Sequence, residues 1–123
     1  MAAERMLASA SVIIGEVRLM EVFPMSVIAH VLLRGVSPET YDRVRAEVGW
    51  LENTPVGGQA HLTWWEGDDC HNLDAWESED AFNTFGMDRL GPAMAKLGVN
   101  VAPEVTFHPA HEVFTPQVLR MTS

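Results

Sequence analysis

The sequence predicts an α+β fold in the ferredoxin-like βαββαβ order, an antiparallel sheet covered by helices on one face. Three observations carry that expectation. A β-branched and aliphatic run, Val27-Ile28-Ala29-His30-Val31-Leu32-Leu33, reads as a strand. Two serine-capped segments with apolar residues at helical spacing begin at Ser37 and Ser78. Between them, two strand-like runs flank Gly67-Asp68-Asp69, a hairpin signal. The 123 residues suit a single domain.

In order along the chain, residues 1–24 read as an N-terminal extension, either an extra strand through Val12 to Phe23 or loose chain. The domain proper spans 25–116, and 117–123 form a loose tail. Ser37 caps the first helix, with Pro38 at its first position and Glu39 in its first turn. Tyr41, Val44, Val48 and Leu51 form its apolar stripe, which is expected to run to Asn53-Thr54-Pro55. Gly57-Gly58 then makes a turn. Gln59–Glu66 and Cys70–Trp76 are the second and third strands. The second helix carries Glu79 and Asp80 in its first turn and a stripe of Phe82, Phe85, Leu90, Ala93, Met94 and Leu97. Gly91-Pro92 is expected to break it, and Gly98 to close it. Glu104 to Phe114 is the last strand, disturbed near Pro109.

Charge and composition exclude several partners. The net charge is −9, and ten acids but no Lys or Arg fall between Arg45 and Arg89. Nucleic acids and anionic membrane surfaces are therefore not expected partners. No run approaches the roughly 18–20 apolar residues needed to span a bilayer. The segment after Arg5 imitates a signal peptide only weakly, since serines dilute it and Glu16 and Arg18 follow at once. With the single cysteine, Cys70, excluding an internal disulfide framework, a cytoplasmic setting is the expectation.

Alternation along the strands assigns side chains to two faces. Val27, Ala29, Val31 and Leu33 are expected under the helices, with Ala60, Leu62, Trp64, Leu73, Ala75, Val105 and Phe107. The opposite face then carries His30, His61, Thr63, Trp65, Asn72, Asp74, Trp76, Thr106 and His108. The facing of His111, beyond Pro109, is left open. Such a mixture of aromatic and polar groups is typical of a ligand pocket. A single layer of helices leaves this second face uncovered, which predicts a homodimer.

Asp74-Ala75-Trp76-Glu77-Ser78-Glu79-Asp80-Ala81-Phe82 resembles the strand-end and helix-start signature of the dimeric α+β barrel superfamily, which includes antibiotic-biosynthesis-monooxygenase-like proteins. The likeness covers about residues 26–115, including Tyr41-Asp42-Arg43-Val44, Leu90-Gly91-Pro92 and His111-Glu112-Val113-Phe114. It is greatest to small actinobacterial members of unsettled function. The resemblance implies a homodimer whose two sheets close a barrel, with a pocket in each protomer. The superfamily includes cofactor-free oxygenases, polyketide cyclases, haem-degrading enzymes and plain ligand binders. The haem degraders carry a tryptophan and a histidine where this chain has Phe85 and Ala95, so haem oxygenation is not expected. The plant-type cyclases use a tyrosine–histidine pair. The only tyrosine here, Tyr41, falls in the first helix, and no such pair is evident from the sequence.

Histidine beside a carboxylate in a partly dry pocket suits proton transfer near neutral pH. His61 is the expected acid/base group, oriented by Asp74, with His30, His108 and His111 completing the pocket. The bland alternative is a set of strand histidines filling an interface. Trp65 and Trp76, with Thr63 and Asn72, are expected to hold a planar aromatic ligand. Neither metal nor organic cofactor is expected: the histidine spacing matches no ligand pattern, and Gly57-Gly58 is a turn rather than a phosphate loop. Acids near Cys70 argue against a nucleophilic thiol. The function so read is an enzyme acting on a hydrophobic, polyketide-like aromatic molecule, by histidine acid/base or cofactor-free oxygen chemistry. The alternative is a non-catalytic small-ligand-binding or structural dimer.

Overall fold

The computed structural model describes residues 25–116, so the expected extension at 1–24 and tail at 117–123 lie outside the described residues. Four strands form one antiparallel sheet in the order β2-β3-β1-β4. They are β1 (Val27–Leu33), β2 (Gly58–Glu66), β3 (Asp69–Trp76) and β4 (Glu104–Pro109). The helices are α1 (Pro38–Val48), α2 (Glu79–Phe85) and α3 (Gly91–Lys96), the last two joined by a π-helical turn at Gly86–Leu90. This is the α+β, ferredoxin-like arrangement. Among the described residues no helix is long and apolar enough to cross a membrane.

Local chemistry sets the helix starts. The hydroxyl of Ser37 accepts from the amide of Thr40, and that of Ser78 from the amide of Ala81. Each supplies one of the acceptors that a helix N-terminus lacks. α1 stops earlier than its apolar stripe suggested. Gly49 takes the left-handed conformation at φ 68° and its amide closes on the Arg45 carbonyl. That turn brings Trp50 back toward the sheet. Gly57 also has positive φ, 85°, and a Cβ there would lie 2.6 Å from the Ala81 Cβ. Only glycine lets the turn before β2 pack so closely on the start of α2.

Two expectations about breaks are corrected. Gly91-Pro92 does not end the helical run but changes its hydrogen bonding: α2 gives way to the π-helical turn, and α3 begins at Gly91. The Gly91 amide reaches back five residues to the Gly86 carbonyl, and this wider π turn makes room for a proline ring that would crowd an α-helical turn. β4 does not continue to Phe114. Val27 pairs with Pro109 at the end of the ladder, and Ala110 donates to the Ser26 carbonyl as the chain leaves the sheet. Proline has no amide to extend the ladder, and Phe114 is exposed.

The core lies between sheet and helices. Ala29, Val31, Leu33, Cys70 and Trp76 from the sheet meet Val44, Phe82, Phe85 and Met94 from the helices. β1 and Phe107 of β4 face as alternation predicted. β2 and β3 face the other way from the expectation. Register decides this: Ala29 pairs with Asp74, and Val31 with Asn72, and antiparallel partners share a face. Asn72, Asp74 and Trp76 therefore lie under the helices, and through β2–β3 pairing so do His61 and Thr63. Leu62, Trp64 and Leu73 are exposed on the opposite side. Register in β2 shifts between Gly58 and Ala60, a bulge that leaves Gln59 unpaired.

Candidate functional site

The inverted facing assembles a site. His61 on β2 is opposite Asp74 on β3 in register. Its Nδ1 lies 2.7 Å from Asp74 Oδ1. The second carboxylate oxygen accepts from the Trp76 indole at 3.2 Å. A carboxylate can only accept here, so it fixes the proton of neutral His61 on Nδ1 and leaves Nε2 with a free lone pair. The Tyr41 hydroxyl, from α1, donates to that Nε2 at 2.7 Å. Tyr41, His61 and Asp74 thus form a continuous hydrogen-bonded relay. Asp74 is almost fully buried at its far end, with 5% of its side chain exposed against 24% for His61.

Supporting groups hold the relay in place. Thr63 Oγ1 donates to Asn72 Oδ1 at 2.7 Å and sits 3.0 Å from His61 Nε2 and 3.1 Å from Tyr41 Oη. When His61 is protonated, its Nε2–H finds acceptors in those same two hydroxyls. Asn72 in turn donates to the Val31 carbonyl. The Trp50 ring lies 5.2 Å from the His61 ring, and Trp50, Trp76 and Phe85 pack edge-on or tilted against one another.

One wall of a cavity is formed by these groups. Its lining residues include the polar Tyr41, His61, Asn72, Asp74 and Arg45 and the apolar Val31, Leu33, Val44, Trp50, Phe82, Phe85 and Met94. The cavity has a volume of about 70 Å³, room for several waters at roughly 10–15 Å³ each. The cavity is a mostly apolar concavity with converging polar groups, the usual make-up of a small-molecule site.

Burial, the largest cause, pushes the Tyr41 phenol above its ordinary value, with Cys70 and Asp74 acting in the same direction. The Thr63 hydroxyl, when its proton turns from Asn72 to Tyr41, and the Arg45 charge pull it part of the way back. Tyr41 is therefore a proton donor at neutral pH rather than a standing phenolate. A phenol whose folded value is raised stabilises the fold below about pH 10, and this contribution is lost as pH rises through the folded value. The chain has a single tyrosine, so an absorbance titration reads this group alone. Its midpoint is expected above that of the denatured chain; a midpoint at or below it would contradict the buried placement. Burial likewise pushes the Cys70 thiol up, which leaves it a poor nucleophile.

The structure separates other residues from this site. His30 and His108 lie on the uncovered face of the sheet, where Ile28 pairs with His108 and His30 with Thr106. His30 instead stacks with His71 and Trp64, and its Nε2 is 2.9 Å from His71 Nδ1. His111 lies beyond β4 and is exposed. None of the three reaches His61, so the expected pocket of several histidines is corrected to one histidine with one tyrosine. Trp65 and Trp76 do not sandwich a ligand: Trp76 is fully buried behind Asp74, and the Trp65 indole donates to the Val36 carbonyl. Trp50 is the tryptophan of the cavity wall. Tyr41, Trp50 and Arg45 were missed by sequence reasoning, although Tyr41 was visible on the apolar stripe of α1. Among the described residues, no three His, Cys, Asp or Glu side chains gather as a metal site.

Comparison with known proteins places the fold. No family model matches the sequence, and no curated protein is significantly similar to it. Solved structures do match. A protein of unknown function from Nitrosomonas europaea is 15% identical, with a TM-score of 0.59, covering 77% of this chain and 98% of its own. A candidate antibiotic biosynthesis monooxygenase from Caulobacter crescentus is 20% identical, with a TM-score of 0.55 and coverage of 73% and 93%. SnoaB, a cofactor-independent oxygenase from Streptomyces nogalater, is 15% identical, with a TM-score of 0.53 and coverage of 76% and 99%. The chain therefore has the fold of the antibiotic-biosynthesis-monooxygenase-like proteins, as the motif around Trp76 suggested.

Proposed function

We propose that the chain is a small-molecule enzyme acting on a hydrophobic, aromatic, polyketide-like substrate by acid/base chemistry at His61. The observation that carries this reading is the placement of His61 between Tyr41 and Asp74 at the polar wall of an otherwise apolar cavity. In the free enzyme the Nε2 lone pair is occupied by the Tyr41 proton. A substrate hydroxyl or acidic C–H entering the cavity displaces that bond and gives its proton to Nε2. Asp74 stabilises the imidazolium that results, and the Tyr41 O–H then donates to the negative oxygen left on the substrate. The electron-rich anion so formed is competent for ring closure onto an internal carbonyl or for reaction with O2.

Likeness to SnoaB in fold alone favours trying O2 first. The test is a panel of polycyclic phenols incubated with the protein in the presence and absence of O2, followed by oxygen consumption and product mass. Turnover only with O2 supports the oxygenase branch, and turnover without it the acid/base cyclase branch. Saturable binding without turnover of any member would replace the enzyme reading with that of a ligand-binding protein.

The proposed assembly is a homodimer in the cytoplasm. Leu62 is 58% and Trp64 37% exposed on a sheet face that no helix of the described residues covers, and a contiguous apolar face of this kind marks an interaction surface. Trp64→Glu is expected to shift the sedimentation of the protein from dimer to monomer. A wild-type protein that sediments as a 13.6 kDa monomer at micromolar concentration would refute the dimer.

A further inference from the structure

Arg45 has no role in the relay, yet it lines the cavity. It lies four residues after Tyr41 on α1, and Val44 and Val48 beside it line the same space. Residues at this spacing share a helix face, so Arg45 and Tyr41 border one cavity. Its charge is felt at the Tyr41 oxygen. Most other cations of the described residues are engaged. Arg34 pairs with Glu104 and Asp69, Lys96 with Glu47, and Arg89 donates to the Val48 carbonyl beneath its contact with the Phe85 ring. Arg45 makes no ion pair with a described carboxylate, in a chain with a net charge of −9. The cavity thus has one cation, Arg45, among its lining residues, beside the Tyr41–His61–Asp74 wall.

We propose that Arg45 is a specificity-determining residue that recognises an anionic group, a carboxylate in the first instance, on an aromatic ligand whose body fills the apolar cavity. The inference rests on the reading of that cavity as a substrate site. A guanidinium meets a carboxylate through two parallel N–H donors, and it does so where the ring system leaves the apolar walls. An aromatic hydroxyl next to the carboxylate then reaches the Tyr41–His61 wall. The ligand class is a hydroxylated aromatic acid rather than a neutral phenol.

The experiment compares a naphthol with the matching hydroxynaphthoic acid, binding being followed by quenching of tryptophan fluorescence at neutral pH and low salt. The wild-type protein is expected to bind the acid about three- to tenfold more tightly, the range expected for a partly exposed charge-assisted contact. Arg45→Gln is expected to lose that preference, read as the ratio of the two affinities so that a change common to both probes cancels, and Arg45→Lys to keep part of it. Added salt should weaken the acid and leave the naphthol unchanged. Arg45 is exposed, so a thermal melt should show both variants folded. Equal binding of the two probes by wild type, or a preference surviving in Arg45→Gln, overturns the role of Arg45 while leaving the cavity reading standing. Failure of the wild type to bind either probe overturns both.

Discussion

Trp76→Ala is expected to lower stability by about 3–5 kcal/mol, the usual cost of emptying a large buried aromatic site. Trp76 is fully buried, packs edge-on against Trp50 and Phe82 and tilted against Phe85, and gives its indole proton to Asp74. The substitution removes three aromatic contacts and also takes a donor from a buried carboxylate. Against a total of roughly 5–15 kcal/mol for a domain, the loss corresponds to a fall in melting temperature on the order of 15–30 °C. Trp76→Phe keeps most of the volume and removes only the donor, so it is expected to cost about 1–3 kcal/mol. Urea unfolding followed by circular dichroism checks both. An alanine variant within 1 kcal/mol (about the cost of one ordinary hydrogen bond) of wild type would show that Trp76 does not anchor the core.

The same residue marks how much the sequence disclosed. Element order, both serine caps, the hairpin at Gly67 and the stop at Gly98 were legible because they rest on local chemistry: a hydroxyl acceptor, a fixed proline φ, a glycine turn. The grouping of His61, Thr63, Asn72, Asp74 and Trp76 on one face was legible too, because strand alternation has period two. Which side that face looked toward was not. Hydrophobicity argued for Leu62, Trp64 and Leu73 beneath the helices, and they lie on the open side.

The reason is physical rather than statistical. A sheet with apolar groups on both faces gives alternation no reference, and only pairing with β1 supplies one. Ala29 and Val31 are unambiguously core, and they pair with Asp74 and Asn72. The polar residues of β3 are thereby carried inside, where each meets a partner. Tyr41 follows from the same error. It sits on the apolar stripe of α1, and a stripe facing leucines looks like packing, whereas one facing His61 is half of a proton relay. His30 was misplaced for the complementary reason, since it does lie on the face expected for it while His61 lies on the other.

His61→Ala is expected to lower kcat about 10²–10⁴-fold on whichever aromatic substrate the panel identifies, the usual contribution of a placed acid/base group. Removal of the imidazole leaves Asp74 buried and short of a donor, so some stability is lost as well, and His61→Gln, which restores a donor, separates the two effects. Tyr41→Phe removes the O–H that donates to the substrate oxyanion but leaves the base in place, and its loss should be smaller than that of His61→Ala. If the pair works as one unit, Tyr41→Phe/His61→Ala will be little slower than His61→Ala alone, because a relay without its base has nothing left to lose. Fully additive losses would mean that the two residues act on separate steps. Activity of folded His61→Ala and His61→Gln within a few-fold of wild type would remove His61 from the chemistry and leave the cavity as a binding site only.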